Sequence, residues 1–323
     1  MIDLVLGGPD MSGTSTQVKD LVDHLRAKDM TIKDLSGTEI DALFHAQDFL
    51  QYNQGHETLR SFVTDTGRLS DALHTFNQAV IEYLGALQVA SCVDNGITAY
   101  IDPNSADVWV MEEPTRRSSG QVCRVIEQNR SKFKPNNFDE ENEAFSNLFK
   151  INPMAAAYAH QAYRTDEFLR FRGPLRDAGK IVIRSRSEES ACYQIFHQTE
   201  LPDGISLQDY IDLPGHEIAF GNPPTHIFVA CAPENWTEKE YLELKRERSG
   251  NRTLDDHEVN AGYQLLVNKR YATEWIDELY QQGCESYGST PPEITRFNLY
   301  DKPEVIKAQM TAKLDEILKA KEA

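Results

Sequence analysis

An apolar run, Ile2 to Leu6, breaks into Gly7-Gly8-Pro9-Asp10-Met11-Ser12-Gly13-Thr14-Ser15-Thr16-Gln17, and a helical pattern through Val18, Leu21, Val22 and Leu25 follows. Strand, glycine turn and helix in that order form the opening of a nucleotide-binding α/β fold. Glycines at such a junction let backbone N–H groups wrap phosphate oxygens at the positive end of the helix dipole. The usual pattern, G-x-x-x-x-G-K-[ST], starts here at Gly8 and reaches Gly13. It then needs lysine where Thr14 stands, while Ser15 fills the place of a magnesium-binding hydroxyl. Taken alone, the segment fits a plain glycine-rich turn as well as a phosphate loop.

Three later runs read as further strands: Val108–Met111, Lys180–Ile183 and His226–Ala230. Each ends where polar or proline-containing chemistry begins, as at the carboxyl ends of parallel strands. Helical stretches such as Ala155–Phe171 and Glu238–Arg248 lie between them. The fold expected is α/β, a P-loop doubly wound parallel sheet with an α-helical insertion. Residues 1–35 and 106–285 form its core. Residues 36–105 form the insertion, with Thr38 capping one helix and a second starting near Ser70. Residues 286–323 read as a C-terminal extension carrying an amphipathic helix through Ile306, Met310, Leu314 and Ile317, with Pro303 just ahead of it.

Composition narrows the partners. A formal net charge of −18 over 323 residues repels nucleic-acid backbones, so duplex binding is a poor expectation. That acidity reads as a solvated surface or as adaptation to a salty cell; with 33 Lys and Arg retained, the first is favoured. The five cysteines, Cys92, Cys123, Cys192, Cys231 and Cys284, form no C-x-x-C pair and suit buried thiols in a reducing compartment. His197, His216 and His226 show no metal-ligand spacing. No apolar run approaches the ~18 residues of a membrane span, and a cytoplasmic protein is expected.

The string G-P-D-x-x-G-x-[ST]-T-Q resembles the phosphate loop of the thymidylate kinases. Glu112-Glu113-Pro114-Thr115, with Gly120 and Arg124 downstream, is similar to the Arg-Glu-Pro segment after that family's second strand. Asp34-Leu35-Ser36-Gly37-Thr38 is an alternative match to part of that segment. The strand-led Glu113-Pro114 is preferred. Arg164, Pro174, the Gly179–Ile183 run and Arg186 resemble the family's substrate arginine, connecting helix, third strand and Asp-Arg pair. Ser190-Ala191-Cys192-Tyr193-Gln194 is similar to its Ser…Ala-Tyr-Gln run. His226–Ala230, Pro233, Arg248, Arg252 and a helix from Asp256 resemble the fourth strand and the arginine-bearing lid. The likeness covers about two-thirds of the chain, in family order.

The resemblance implies an ATP-dependent nucleoside monophosphate kinase acting on dTMP or a related deoxynucleotide, with Mg2+ and a homodimer as further expectations. Gly8, Ser12, Gly13, Thr14, Ser15 and Thr16 would hold ATP, and Ser15 the metal. Asp10 would hold the acceptor's 3′-hydroxyl, Arg164 its base or phosphate, and Tyr193 its deoxyribose. Ser190 would lie near the base, and Glu113 also falls on the acceptor side. Arg186, Arg248 and Arg252 would neutralise the transferring phosphoryl group. Two departures stand out: Thr14 replaces the loop lysine, and Ser185 stands where an aspartate is expected. Arg116 and Arg117 are candidate replacements for the lost charge. A catalytically inactive nucleotide-binding or regulatory protein, and a kinase acting on a modified nucleoside or base, remain as rival readings.

Overall fold

The computed structural model describes residues 1–9, 12–35, 102–113, 153–191, 206–249 and 261–322. Six strands form one all-parallel sheet: β1 (Ile2–Gly7), β2 (Ile32–Asp34), β3 (Val108–Glu112), β4 (Ile181–Ser185), β5 (His226–Cys231) and β6 (Glu293–Asn298). Their spatial order is β2-β3-β4-β1-β5-β6. The first strand in sequence is therefore central, paired with β4 from Ile2 to Leu6 and with β5 from Leu4 to Gly7. A strand buried on both faces needs an unbroken apolar run, and Ile2–Gly7 is buried throughout.

Successive side chains of β1 feed two different layers. Ile2, Leu4 and Leu6 pack with Leu21 and Leu25 of α1 (Thr14–Arg26) and with Ile306, Met310 and Leu314 further on. Val5 points the other way, among residues from five later helices. In chain order the helices are α2 (Pro153–Glu167), α3 (Gly173–Asp177), α4 (Leu207–Ile211), α5 (His216–Gly221), α6 (Glu238–Ser249), α7 (Ala261–Ala272), α8 (Trp275–Ser286) and α9 (Pro303–Glu322). One turn of π-helix, Phe168–Arg172, joins α2 to α3. Leu4 and Leu6 are fully buried, so truncating either to alanine would cost ~2–5 kcal/mol.

The region read as a C-terminal extension is woven into this architecture. β6 follows β5 in register from His226↔Glu293 to Cys231↔Asn298, and α9 packs along α1. A short edge strand, β2, lies between α1 and the proposed insertion, pairing with Val108–Val110 of β3. The insertion helices near Thr38 and Ser70 lie outside the described residues. Among the described residues no helix is long and apolar enough to cross a membrane.

The chain leaves β1 toward β2 but leaves β5 toward β6. Connections that diverge from neighbouring parallel strands open a crevice at their carboxyl ends, the usual ligand position in such sheets.

Candidate functional site

Two glycines set the loop that follows β1. Gly8 has φ +151, and a Cβ there would lie 2.5 Å from the Ala230 carbonyl oxygen and 2.7 Å from Ser12 Oγ. No other residue fits so close to β5. Gly13 adopts the left-handed conformation (φ 82, ψ 29) at the N-terminus of α1. Among the described residues no side chain caps that end, and its first turn carries no acid. The first amides thus face outward with the positive end of the helix dipole behind them. Ser12 N–H donates to the Pro9 carbonyl at 3.1 Å, and Gln17 Nε2 donates to the Ser12 carbonyl at 2.7 Å, which rigidifies the turn.

A cavity of about 490 Å³ opens over this loop, lined by Ser12–Gln17, Asp20, Arg186, Arg248, Ile306 and Lys307, among others. Arg186 and Arg248 come from separate segments, one just after β4 and one in the last turn of α6. Arg186 holds φ 73, a left-handed conformation that residues other than glycine adopt only rarely. Its amide donates to the Leu6 carbonyl at 2.9 Å, and its Nη1 donates to the Gly8 carbonyl at 3.3 Å. Local strain is thus spent on pinning a guanidinium to the glycine loop. Arg248 Nη2 donates to the Leu299 carbonyl at 2.9 Å, and partial burial lowers its pKa.

The expected acceptor side is arranged differently. Arg164 is 2 % exposed, and each of its three guanidinium nitrogens is engaged. Nε donates to Glu113 Oε1 at 2.7 Å, Nη1 to Tyr210 Oη at 2.7 Å and Nη2 to the Ser187 carbonyl at 3.1 Å. Glu113 itself follows β3, where its amide donates to the Ser185 carbonyl at 2.9 Å. The two residues are brought together, but as partners of each other. Arg164 thus commits three of its donors to protein partners, whereas the family resemblance would give it the acceptor's base or phosphate.

Around this pair lies a wider buried ionic cluster. Arg184 grips Asp3 with two bonds, at 2.9 and 3.2 Å, and Arg172 Nη1 stands 3.6 Å from the same carboxylate. Burial alone would raise Glu188, but Arg172, Arg164 and Arg184 hold it down at about 2. Its neighbour Glu189 goes the other way. Burial, reinforced by Glu113, pushes it up to about 8, so it keeps its proton at neutral pH. Neither Glu189 oxygen has a hydrogen-bond partner among the described residues, and the side chain lies against Gly7. Burial and the nearby Arg164 push His160 down to about 3, so it is neutral.

Ser190 is buried on the one-turn helix Glu188–Ser190, and its hydroxyl has no partner among the described residues. Asp10, Tyr193, Arg252, Arg116 and Arg117 lie outside those residues. The sequence reading missed four participants: Asp20 and Lys307 in the cavity wall, Glu189 beneath the loop, and Asn268. The last is a clamp, accepting from the Ala232 amide at 2.9 Å and donating to the Ala232 carbonyl at 3.1 Å. A polar residue in the middle of a buried helix was the available signal for Asn268.

A magnesium ion prefers one or two carboxylates beside phosphate oxygens. Of the described cavity residues only Ser15 offers a hydroxyl at the expected place, and the one carboxylate, Asp20, is paired with Lys307 at 2.8 Å. Ser185 supplies no carboxylate. These donors fit magnesium poorly. The chain matches no protein-family model, and no curated protein resembles it significantly in sequence.

Proposed function

We propose that the protein binds a nucleotide by its phosphates over the glycine loop and acts as a nucleotide kinase of thymidylate kinase type, with ATP as donor and dTMP or a related nucleotide as acceptor. One observation carries the reading. The uncapped N-terminus of α1, Arg186 and Arg248 converge on one cavity at the carboxyl edge of a parallel sheet. Its volume of about 490 Å³ falls in the range of small-molecule sites.

Phosphoryl transfer depends mainly on positioning and on stabilising charge at the equatorial oxygens. The α1 amides would hold the phosphate tail in place. Arg186, fixed to Gly8, would meet the transferring group from the β4 side, and Arg248 from the β5 side.

A second reading, nucleotide binding without transfer, is favoured by the closed Arg164 and by the absent Thr14 and Ser185 charges. Incubation with radiolabelled ATP and a panel of nucleoside monophosphates, with and without magnesium, separates the two. Labelled diphosphate product supports the kinase. Tight ATP binding in calorimetry with no labelled product supports the second reading, and no ATP binding at millimolar concentration removes both.

A further inference from the structure

The cavity wall contains a third cation, from a part of the chain far from the loop. Lys307 lies in the first turns of α9, beside Pro303 and Ile306, and lines the same cavity as Gly13–Thr16. Its Nζ stands 2.8 Å from Asp20 Oδ1, and the two side chains are 48 % and 26 % exposed. Exposed pairs of this kind contribute little to stability, so the lysine is lightly held. Arg186 and Arg248, by contrast, are anchored on backbone carbonyls.

Geometry supports a move toward the loop. Asp20 is one helical turn beyond Thr16, about 6 Å along the α1 axis at 1.5 Å per residue. A lysine stem has four rotatable carbons and spans a comparable distance. Thr14 leaves the phosphate tail without the cation that the loop would ordinarily supply. A triphosphate carries several charges, against one on Asp20, and would compete strongly for the ammonium.

We propose that Lys307 supplies the phosphate-binding cation that Thr14 cannot, resting on Asp20 when the cavity is empty and turning to the phosphate tail when a nucleotide enters. This rests on the phosphate-site reading above. Asp20 is then a competitor for the lysine, which gives the pair an unusual signature. If the two residues formed only a structural bridge, removing either would have the same sign of effect. As a docking partner and a competitor, they must have opposite signs.

Calorimetry of ATP and AMP binding to the full chain tests this in wild type, Lys307→Ala, Asp20→Asn, the double variant, and Lys313→Ala as a control in the middle of α9. Lys307→Ala should weaken ATP about tenfold or more, the equivalent of one charge-assisted hydrogen bond, and leave AMP nearly unchanged. Asp20→Asn should tighten ATP, and that gain should shrink when Lys307 is also absent. Lys313→Ala should change nothing. Adding Thr14→Lys to Lys307→Ala should restore ATP affinity. ATP affinity within twofold of wild type in Lys307→Ala, or an equal Asp20→Asn gain with and without the lysine, overturns the proposal while leaving the nucleotide site intact. Failure of the wild type to bind ATP at all overturns the site itself.

Discussion

Arginines in two regions of this molecule meet different partners. Arg186 and Arg248 border the open cavity and are anchored on backbone carbonyls, of Gly8 and Leu299. Arg164, Arg172 and Arg184 are sealed inside, with Glu113, Glu167, Asp3 and Glu188 around them. A carbonyl fixes a guanidinium without cancelling its charge, whereas a carboxylate does both. The two regions thus differ in the partners seen: backbone carbonyls at the cavity, carboxylates in the interior. The buried set pairs with carboxylates inside the fold, while the cavity pair lines open space.

The sharpest way to break that division is Arg164→Ala. Removing it leaves Glu113 buried and unpaired, and urea denaturation should show a loss of ~3–5 kcal/mol in stability. Unchanged stability with weakened dTMP binding would move Arg164 into the ligand-facing class. Arg248→Ala should do the reverse, weakening ATP by ~1.5–3 kcal/mol in calorimetry while stability changes by less than ~1 kcal/mol.

The buried region should also record itself in pH. Glu189 has a folded pKa raised to about 8 from the ordinary glutamate value of 4.5. The native state therefore binds the extra proton between those values, and this group's contribution to stability falls as pH rises through that window. The slope is about 1.4 kcal/mol per pH unit for one proton, and Glu189→Gln should flatten it. Glu188, depressed to about 2, works oppositely: its contribution is present above pH 4.5 and is lost as pH falls toward 2. Denaturation curves from pH 5 to 8 for wild type and Glu189→Gln give the comparison. The smallest expected effect is at the loop. Thr14→Lys should tighten ATP several-fold, about 1 kcal/mol, and equal or weaker affinity would mean that the loop does not hold phosphates in the usual pose.

How far these regions could be read in advance follows from their physics. Strands β1, β3, β4 and β5 are legible because buried parallel strands demand continuous apolar runs. β6, Glu293-Ile294-Thr295-Arg296-Phe297-Asn298, lies at the sheet edge with mixed exposure, so its run is broken by polar residues. β2 has only three residues and one apolar side chain. The glycine loop, Arg186 and Arg248 were readable from local motifs. The partners of Arg164 are 23, 46 and 51 residues away, and no local pattern reveals that its guanidinium is occupied. Lys307 and Asp20 are 287 residues apart, on helices whose apolar stripes say only where the core lies.

That last separation bears on how the protein is made. Synthesis delivers the glycine loop before the parts that surround it: β1 has no neighbouring strand until β4 emerges, and the cavity has no far wall until α9 does. Contacts spanning almost the whole chain impose slow, late closure. A nascent chain would thus carry the apolar β1 unpaired until β4 emerges, and the cavity would close only once α9 is available to pack.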